Sequence, residues 1–380
     1  MRRFIFASAV LLALPAHAAQ WEKSVDATGF SGTRPLLCSL GTKLYATQMH
    51  GTTDPAPFSV WDAASNTITS VTGRDITFFN EVLGIGCGTS TNRIYEAGRG
   101  RWLAYATTPF TSWTSVADLN VAAQGYGGIL SDFGLGVALA TTVDTGTDTF
   151  GVFTWDLAST SAGPSINAAS GFANHELTGC KVIDTTGTNN DIYVGAAIDA
   201  TLGAAGKVMA VGIDGDGDSR WTPNCGTGVG CENGASAHLM RQCASNGSTL
   251  AVTLAYNTST NTTYATGWAS DGTHSSISQT ISSTDLRCVL YFDLDGAGAA
   301  FWAFTSAGVA YKSTGGDFSN ASGTTYDLTL DASDTVTGCA VVNTTIPAVT
   351  TDDGDVFAWR TPINTRYIGG GSITGTGPIH

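Results

Sequence analysis

The chain has 380 residues, of which only 13% are charged, and its formal net charge of −14 reflects an excess of acidic side chains. It contains no basic cluster of the kind that neutralises phosphates, so nucleic acid and anionic membranes are excluded as expected partners. The 47 glycines stand between short runs of Val, Ile, Tyr, Phe and Trp, a composition typical of many short strands joined by tight turns.

Residues 1–18 have the organisation of an export signal. Arg2 and Arg3 precede the apolar run FIFASAVLLALP, and residues 16–18 (AHA) form a small-x-small cleavage site. The apolar run is too short to cross about 30 Å of hydrocarbon as a membrane anchor. We therefore expect a bacterial signal peptide, a mature chain that starts at Ala19, and a secreted or periplasmic protein.

Residues 23–32, KSVDATGFSG, predict an isolated strand and turn with no partner nearby in the sequence. This segment is similar to the predicted final strand of a later unit, YDLTLDASD at 326–334. We expect it to complete the sheet of the last unit, which would join the two ends of the chain and protect exposed strand edges.

One pattern then recurs along the chain: a strand near a cysteine, a strand with an aliphatic residue before Tyr, and a strand ending in Trp. The first unit carries Cys38, Leu44-Tyr45 and Trp61, and the third keeps YGGILSDFGLGVALATT and Trp155 without a cysteine. The intervals from Cys38 to Cys87, Cys243 to Cys288 and Cys288 to Cys339 are 49, 45 and 51 residues. The sequence therefore repeats one unit of nearly constant length.

Repeats of about 40 to 50 residues with about four short strands each are typical of β-propeller blades. Counting seven units predicts an all-β fold, a seven-bladed β-propeller of four-stranded antiparallel blades, in a single domain from 19 to 380. A β-sandwich does not repeat one template, and a β-helix has a shorter period. Residues 214–237 are predicted as a long insertion between the third and fourth strands of the fourth unit, and residues 368–380 as a glycine-rich tail.

The mature chain as a whole resembles the seven-bladed β-propeller superfamily. Within it, TTPFTSWTSV at 107–116 and AYKSTGGDFSNAS at 310–322 resemble degenerate copies of the Asp-box turn of sialidase-like and sortilin-like propellers. The Asp box places Ser, Asp, Gly and Trp in a fixed order, and neither copy has all four. The resemblance implies a fold rather than an activity, because this fold serves enzymes, lectins and scaffolds.

Eight cysteines in an exported protein predict structural disulfides. Cys225 and Cys231 enclose the stretch CGTGVGC and predict a local loop disulfide. The unit cysteines form either bridges between neighbouring units or buried thiols, because a disulfide needs Cα atoms about 4.4–6.8 Å apart. The sequence leaves open the connectivity of Cys38, Cys87, Cys180, Cys243, Cys288 and Cys339.

Asp214, Asp216 and Asp218 alternate in IDGDGDSRW, as ligands do in the first half of a calcium loop. They predict a calcium site, with a plain acidic turn as the alternative, because the position of the EF-hand glutamate is not acidic. Asp293 and Asp295 in FDLDGAG repeat the signal in weaker form. Calcium is therefore the only cofactor that the sequence suggests.

The candidate ligand-binding residues are Trp221, Arg241 and Arg287. Trp221 follows the three aspartates, where an amphipathic aromatic side chain would suit a sugar or a cationic partner, or would pack between units as the third-strand tryptophans do. Arg34, Arg241 and Arg287 precede unit cysteines. These arginines form either a carboxylate-binding cluster at one end of the channel or pairs with nearby acids.

The sequence has no GxSxG or HExxH motif, and no catalytic residue is predicted. We expect an exported, non-enzymatic, monomeric propeller that binds an extracellular protein or glycan through loops at one face. The alternative is a glycoside hydrolase or lyase of the sialidase-like class, in which the arginine cluster would bind a substrate carboxylate.

Overall fold

From 115 to 240, the computed structural model describes the path of the strands and not their side chains. The residues that it describes are 19–24, 30, 35–48, 58–71, 82–88, 92–98, 102–118, 127–128, 137–144, 149–156, 161–170, 175–183, 192–199, 208–213, 219–221, 238–258, 260–269, 274–282, 284–313, 318 and 326–360.

All regular elements in these residues are strands, numbered here in chain order. Strand β1 (Gln20–Ser24) comes first. The first sheet then has β2 (Pro35–Leu40), β3 (Lys43–Gln48), β4 (Phe58–Asp62) and β5 (Thr67–Val71), and the second has β6 (Val82–Gly88), β7 (Arg93–Gly98), β8 (Trp102–Ala106) and β9 (Thr114–Asp118). The third has β10 (Gly127–Gly128), β11 (Val137–Asp144), β12 (Thr149–Asp156) and β13 (Ser161–Ser170), and the fourth has β14 (His175–Ile183), β15 (Ile192–Asp199), β16 (Val208–Ile213) and β17 (Ser219–Trp221).

The remaining sheets complete the series. The fifth has β18 (His238–Ser245), β19 (Leu250–Asn257), β20 (Thr262–Ala269) and β21 (His274–Ser282). The sixth has three described strands, β22 (Leu286–Phe292), β23 (Ala300–Thr305) and β24 (Ala310–Ser313). The seventh has β25 (Val336–Val342), β26 (Ile346–Thr351) and β27 (Val356–Arg360), with β1 added beside β27.

Each sheet is antiparallel, and its strands neighbour one another in chain order, except that β1 is the outermost strand of the last sheet. The first strand of each sheet contacts the first strand of the next, and β25 contacts β2, so these inner strands form a closed ring. Small sheets around a central axis are the architecture of a β-propeller. The number of blades in the complete chain stays a prediction. No helix in the described part of the chain is long and apolar enough to span a membrane.

In the sheets whose side chains the structure describes, the core lies between neighbouring sheets and contains buried aromatic side chains. Tyr45 and Tyr95 are buried, as their position in the repeat predicts. Between the first two sheets, the ring of Phe110 lies 5.2 Å from that of Tyr45, and the ring of Trp113 lies 6.2 Å from that of Phe58. The Asp-box-like turn at 107–116 therefore supplies buried aromatics to the packing between sheets.

Strand β1 closes the ring, as the sequence predicts, but its boundaries differ from the predicted 23–32. Trp21 lies opposite Trp359 in the antiparallel register, and Lys23 lies opposite Phe357. Of the described residues in 23–32, only Lys23 and Ser24 belong to the strand. The pairing supplies partners for the outward edge of β27, which would otherwise be exposed.

Residues 326–334 do not form the predicted final strand of the sixth unit. Their backbone is irregular and is held by single hydrogen bonds: the amide of Leu328 donates to Gly308 O at 2.9 Å, and the amide of Ala310 donates to Asp327 Oδ1 at 2.8 Å. Side chains and isolated backbone groups therefore replace a strand ladder here, which the apolar alternation of YDLTLDASD does not reveal.

The predicted insertion at 214–237 contains the fourth strand of its own sheet, so the prediction of one long loop between third and fourth strands is wrong. Strand β17 spans Ser219–Trp221, and Trp221 lies opposite Gly212 of β16. Trp221 thus belongs to a fourth strand, whereas Trp61 and Trp155 belong to third strands. The long connection, residues 222–237, follows β17 and leads into β18.

Disulfides join inner strands of neighbouring sheets. Cys38 and Cys87 bridge β2 and β6 with a Cα–Cα distance of 5.6 Å, and Cys288 and Cys339 bridge β22 and β25 with a distance of 5.7 Å. The buried-thiol alternative is therefore wrong for these four. Cys243 is also disulfide-bonded. The side chains of Cys180, Cys225 and Cys231 lie outside the described residues.

Candidate functional site

The two ends of the ring differ in the connections they carry. We call the end where the inner strands begin the leading end. Because the strands of each sheet alternate in direction, the connection from the second to the third strand lies at this end, and so does the connection from each four-stranded sheet to the next. The connections 49–57, 72–81 and 222–237 are examples. Connections within sheets at the opposite end range from two residues, at 41–42, to eight, at 129–136 and 184–191.

Two of the predicted arginines meet at the leading end. Asp285 directly precedes β22, Arg287 lies within β22, and Arg241 comes from β18 of the neighbouring sheet. Arg241 Nη2 donates to both carboxylate oxygens of Asp285, at 2.9 and 3.0 Å, and Arg287 Nε lies 2.6 Å from Asp285 Oδ2. The prediction that these arginines pair with a nearby acid is thus the one that the geometry supports.

This trio is mostly buried and carries a net charge of one. The side chains of Arg241, Asp285 and Arg287 are 6%, 10% and 22% exposed. The guanidinium carbon of Arg241 also lies 5.2 Å from the centre of the Tyr256 ring, a cation–π arrangement. Two guanidinium groups share one carboxylate, and Arg287 is the more accessible of the two arginines.

Side chains from three sheets meet near the axis. Gln242 of β18 accepts a hydrogen bond at its Oε1 from the backbone amide of Cys339 in β25, at 2.8 Å, although β22 lies between these strands in the ring. A Cβ added at Gly338 would lie 2.9 Å from Leu37 Cδ1 and 3.2 Å from Thr350 Oγ1. The inner strands therefore approach closely at this level, and Gly338 has no room for a larger side chain.

Gln242 has no sequence signal as a site residue, because its partner lies 97 residues away in the chain. Ser39 makes a similar contact, donating to Val341 O at 3.2 Å across the junction of the first and last sheets. Both bonds satisfy inner-edge backbone groups without water. Among the described residues, the inner strands at this level are therefore packed against one another. Ligand recognition is better placed at the leading end.

The structure describes some of the predicted calcium ligands and binding residues and not others. Asp214, Asp216, Asp218, Arg34 and the side chain of Trp221 lie outside the described residues, so their roles stay predictions. Of the weaker pair, Asp293 is exposed, and Asp295 binds Lys312 and accepts from the amide of Ala297 at 3.1 Å.

The environment of Asp295 explains its ionisation. Burial raises the pKa of Asp295, but hydrogen bonds from Lys312 and from the amide of Ala297 outweigh burial and lower the pKa overall. A carboxylate engaged in this way serves the turn in which it lies. The second calcium signal is therefore an ion-paired turn in the structure.

Comparisons with known proteins define the fold and no family. No family profile matches the chain, and no curated protein matches it. Among solved structures, the chain is similar to the WD40 β-propeller domain of Doa1, with a TM-score of 0.57 and 10% sequence identity over 90% of this chain and 98% of that one. The chain is a β-propeller. At this identity the similarity shows the fold alone, because one fold carries many unrelated activities.

Proposed function

We propose that this protein is an exported, non-enzymatic β-propeller that binds an extracellular protein or glycan through the connections at its leading end. The observation that carries the proposal is the asymmetry of the ring. The long connections 49–57, 72–81 and 222–237 share one end with the arginine pair, and connections within sheets at the opposite end have no more than eight residues. Loops on a rigid scaffold are the usual place for binding residues.

The charge at the leading end suggests the chemistry of the partner. Arg287 is the more accessible of the two arginines beside Asp285. Guanidinium groups bind carboxylates in fixed geometry, so an acidic sugar or a protein carboxylate is the group that we expect near Arg287. Asp285 holds the guanidinium groups in place, so little side-chain entropy is lost when such a partner binds.

The alternative function, a sialidase-like glycoside hydrolase, places a different demand on the same arginines. Such a site needs them to bind a substrate carboxylate directly. In the structure, Arg241 already donates hydrogen bonds to the carboxylate of Asp285, a residue of the protein itself. The pair therefore favours a binding role.

The proposal is tested with the purified mature protein on glycan arrays and in pull-downs from envelope extracts, followed by affinity measurement for each retained ligand. Replacing residues 222–237 or 72–81 with Gly-Ser linkers of equal length should weaken binding at least about tenfold, since loops at that end carry the contacts. The same replacement of residues 293–299, at the opposite end, is the control and should leave affinity unchanged.

Two results would contradict the proposal. One is a ligand whose affinity falls only in the 293–299 variant. The other is hydrolysis of chromogenic glycosides by the wild-type protein that disappears in Arg241→Ala and Arg287→Ala, which would instead establish the hydrolase.

A further inference from the structure

Three aspartates meet at the leading end of the last sheet, away from the arginine pair. Asp331 and Asp334 lie in the segment before β25, and Asp355 lies in the turn before β27. One carboxylate oxygen from each lies within 4.8 Å of the others. No sequence pattern indicates this cluster, because the turn and the segment are separated by β25 and β26.

The cluster holds more negative charge than its neighbours compensate. Asp334 and Asp355 are 8% and 1% exposed, and Oδ2 of Asp334 is fully covered and accepts no hydrogen bond from the described residues. Lys23 Nζ lies 2.7 Å from Asp331 Oδ2 and 2.5 Å from Asp355 Oδ2. In the part of the chain that the structure describes, a single ammonium thus faces three carboxylates, and a buried carboxylate oxygen without a partner is costly.

We propose that Asp331, Asp334 and Asp355 bind a calcium ion. The donors are hard carboxylate oxygens, which suit calcium and magnesium rather than softer metals. Three oxygens that lie within 4.8 Å of one another are near enough to share one cation. Calcium coordination is flexible, with oxygen ligands at about 2.3–2.6 Å, whereas magnesium demands near-ideal octahedral geometry at about 2.0–2.1 Å. Three carboxylates and one ammonium carry two net negative charges. The two positive charges of a calcium ion would neutralise them.

The two segments that carry the ligands are already joined to each other. The amide of Asp352 donates to Thr335 O at 3.0 Å, and the amide of Thr335 donates to Asp352 Oδ1 at 2.7 Å. Lys23 belongs to β1, the strand that closes the ring. A calcium ion at this place would hold the segment before β25 and the turn before β27 together, beside the closing strand, and would stabilise the closed ring.

The test is calcium titration of the full mature protein after removal of metal with EDTA, by isothermal titration calorimetry and thermal melting. We expect saturable calcium binding and a melting temperature that rises with calcium and falls again with EDTA. Asp334→Asn should weaken the affinity at least about tenfold, because calcium affinity follows the charge of its ligands. Magnesium at equal concentration should bind more weakly.

Three further variants distinguish this site from the other acidic residues of the chain. Asp293→Asn removes the same charge from an exposed residue at the opposite end of the ring and should leave calcium affinity within about twofold, since an exposed and distant charge is largely screened. Lys23→Met removes the competing ammonium and should tighten calcium binding, even if it weakens the metal-free fold. Asp216→Asn should retain binding, because that residue belongs to a different candidate loop.

The proposal is overturned if the wild-type protein binds no calcium, or if Asp334→Asn binds it as tightly as wild type. It is equally overturned if Asp216→Asn abolishes the calorimetric signal, which would assign the ion to residues 214–218. Calorimetry on the wild-type protein detects binding directly, and the thermal melt of each variant shows that it is folded before its affinity is compared.

Discussion

At the scale of single residues, Asp285 is the side chain on which the candidate site depends. It accepts hydrogen bonds from Arg241 of the fifth sheet and forms an ion pair with Arg287 of its own sheet. Its carboxylate is only 10% exposed, so the charges are screened far less than a surface pair would be. The trio therefore joins two neighbouring sheets, and the carboxylate of Asp285 positions the two arginines of the candidate binding site.

Replacing this carboxylate should be more damaging than removing either arginine. We expect Asp285→Asn to lower the free energy of unfolding by about 3–5 kcal/mol, because it leaves two guanidinium groups close together without their counter-ion. Arg241→Met should have a smaller effect, since Arg287 still pairs with Asp285. Urea unfolding followed by tryptophan fluorescence measures both.

An exposed ion pair supplies the control. Lys43 Nζ lies 3.9 Å from Asp62 Oδ2, with side chains 45% and 31% exposed. Lys43→Met should change stability by no more than about 1 kcal/mol. Equal losses in Asp285→Asn and Lys43→Met would show that Asp285 has no structural role beyond that of a surface charge.

At the scale of elements, β1 connects the last sheet to the first. Within the last sheet, Trp21 donates from its indole nitrogen to Tyr326 O at 2.9 Å, and its ring lies 5.3 Å from that of Trp359. Toward the first sheet, the indole nitrogen of Trp61 donates to Ser24 Oγ at 3.1 Å. One five-residue strand thus makes contacts on both sides of the closure.

Removing β1 should open the ring. A protein that begins at Val25 is expected to melt at a lower temperature and to associate, because the edge of β27 then offers unpaired backbone groups to other chains. Differential scanning fluorimetry and size-exclusion chromatography measure these effects. A monomeric truncation with unchanged melting temperature would mean that closure does not depend on β1.

A point substitution tests the same element without exposing an edge. Trp21→Ala should lower the free energy of unfolding by about 3 kcal/mol, the lower end of the range for tryptophan truncation, because Trp21 is half-buried. Gln20→Ala, at an exposed position of the same strand, should change it by less than about 0.5 kcal/mol.

At the scale of the whole molecule, disulfides fasten the inner ring on both sides of the closure. One joins the first two sheets and the other joins the sixth and seventh, across sequence separations of 49 and 51 residues. Each bridge limits the freedom of the unfolded chain over a long loop, and loops of this length give a stabilisation of up to about 4 kcal/mol. The ring is therefore held by covalent bonds as well as by β1.

Loss of either bridge should lower the melting temperature without changing the fold. We expect Cys288→Ala with Cys339→Ala to reduce the free energy of unfolding by about 2–4 kcal/mol, and Cys38→Ala with Cys87→Ala to do the same. Chemical denaturation with and without a reducing agent measures the effect. On reduction, each double variant should lose less free energy of unfolding than wild type does. If a double variant and wild type lose the same amount, the missing bridge does not stabilise the fold.

The sequence by itself determined the repeat, the strand composition and the role of the N-terminal segment in closure. These depend on local signals: an aliphatic residue before Tyr45 or Tyr95, a cysteine once per unit, and alternating apolar residues between glycine-rich turns. A periodic local pattern is enough to specify a repeated sheet, because each sheet buries its faces against copies of itself.

Only the tertiary structure decided which residues meet. Arg241 reaches Asp285 over 44 residues, Gln242 reaches Cys339 over 97, and Lys23 reaches Asp331 over 308. No periodicity encodes such pairs, because they form only when the ring closes and the inner strands come together. The cysteine spacing predicted the repeat, but the distance between inner strands was needed to establish the bridges. Long-range geometry therefore placed the candidate site, whereas local chemistry alone had already specified the fold.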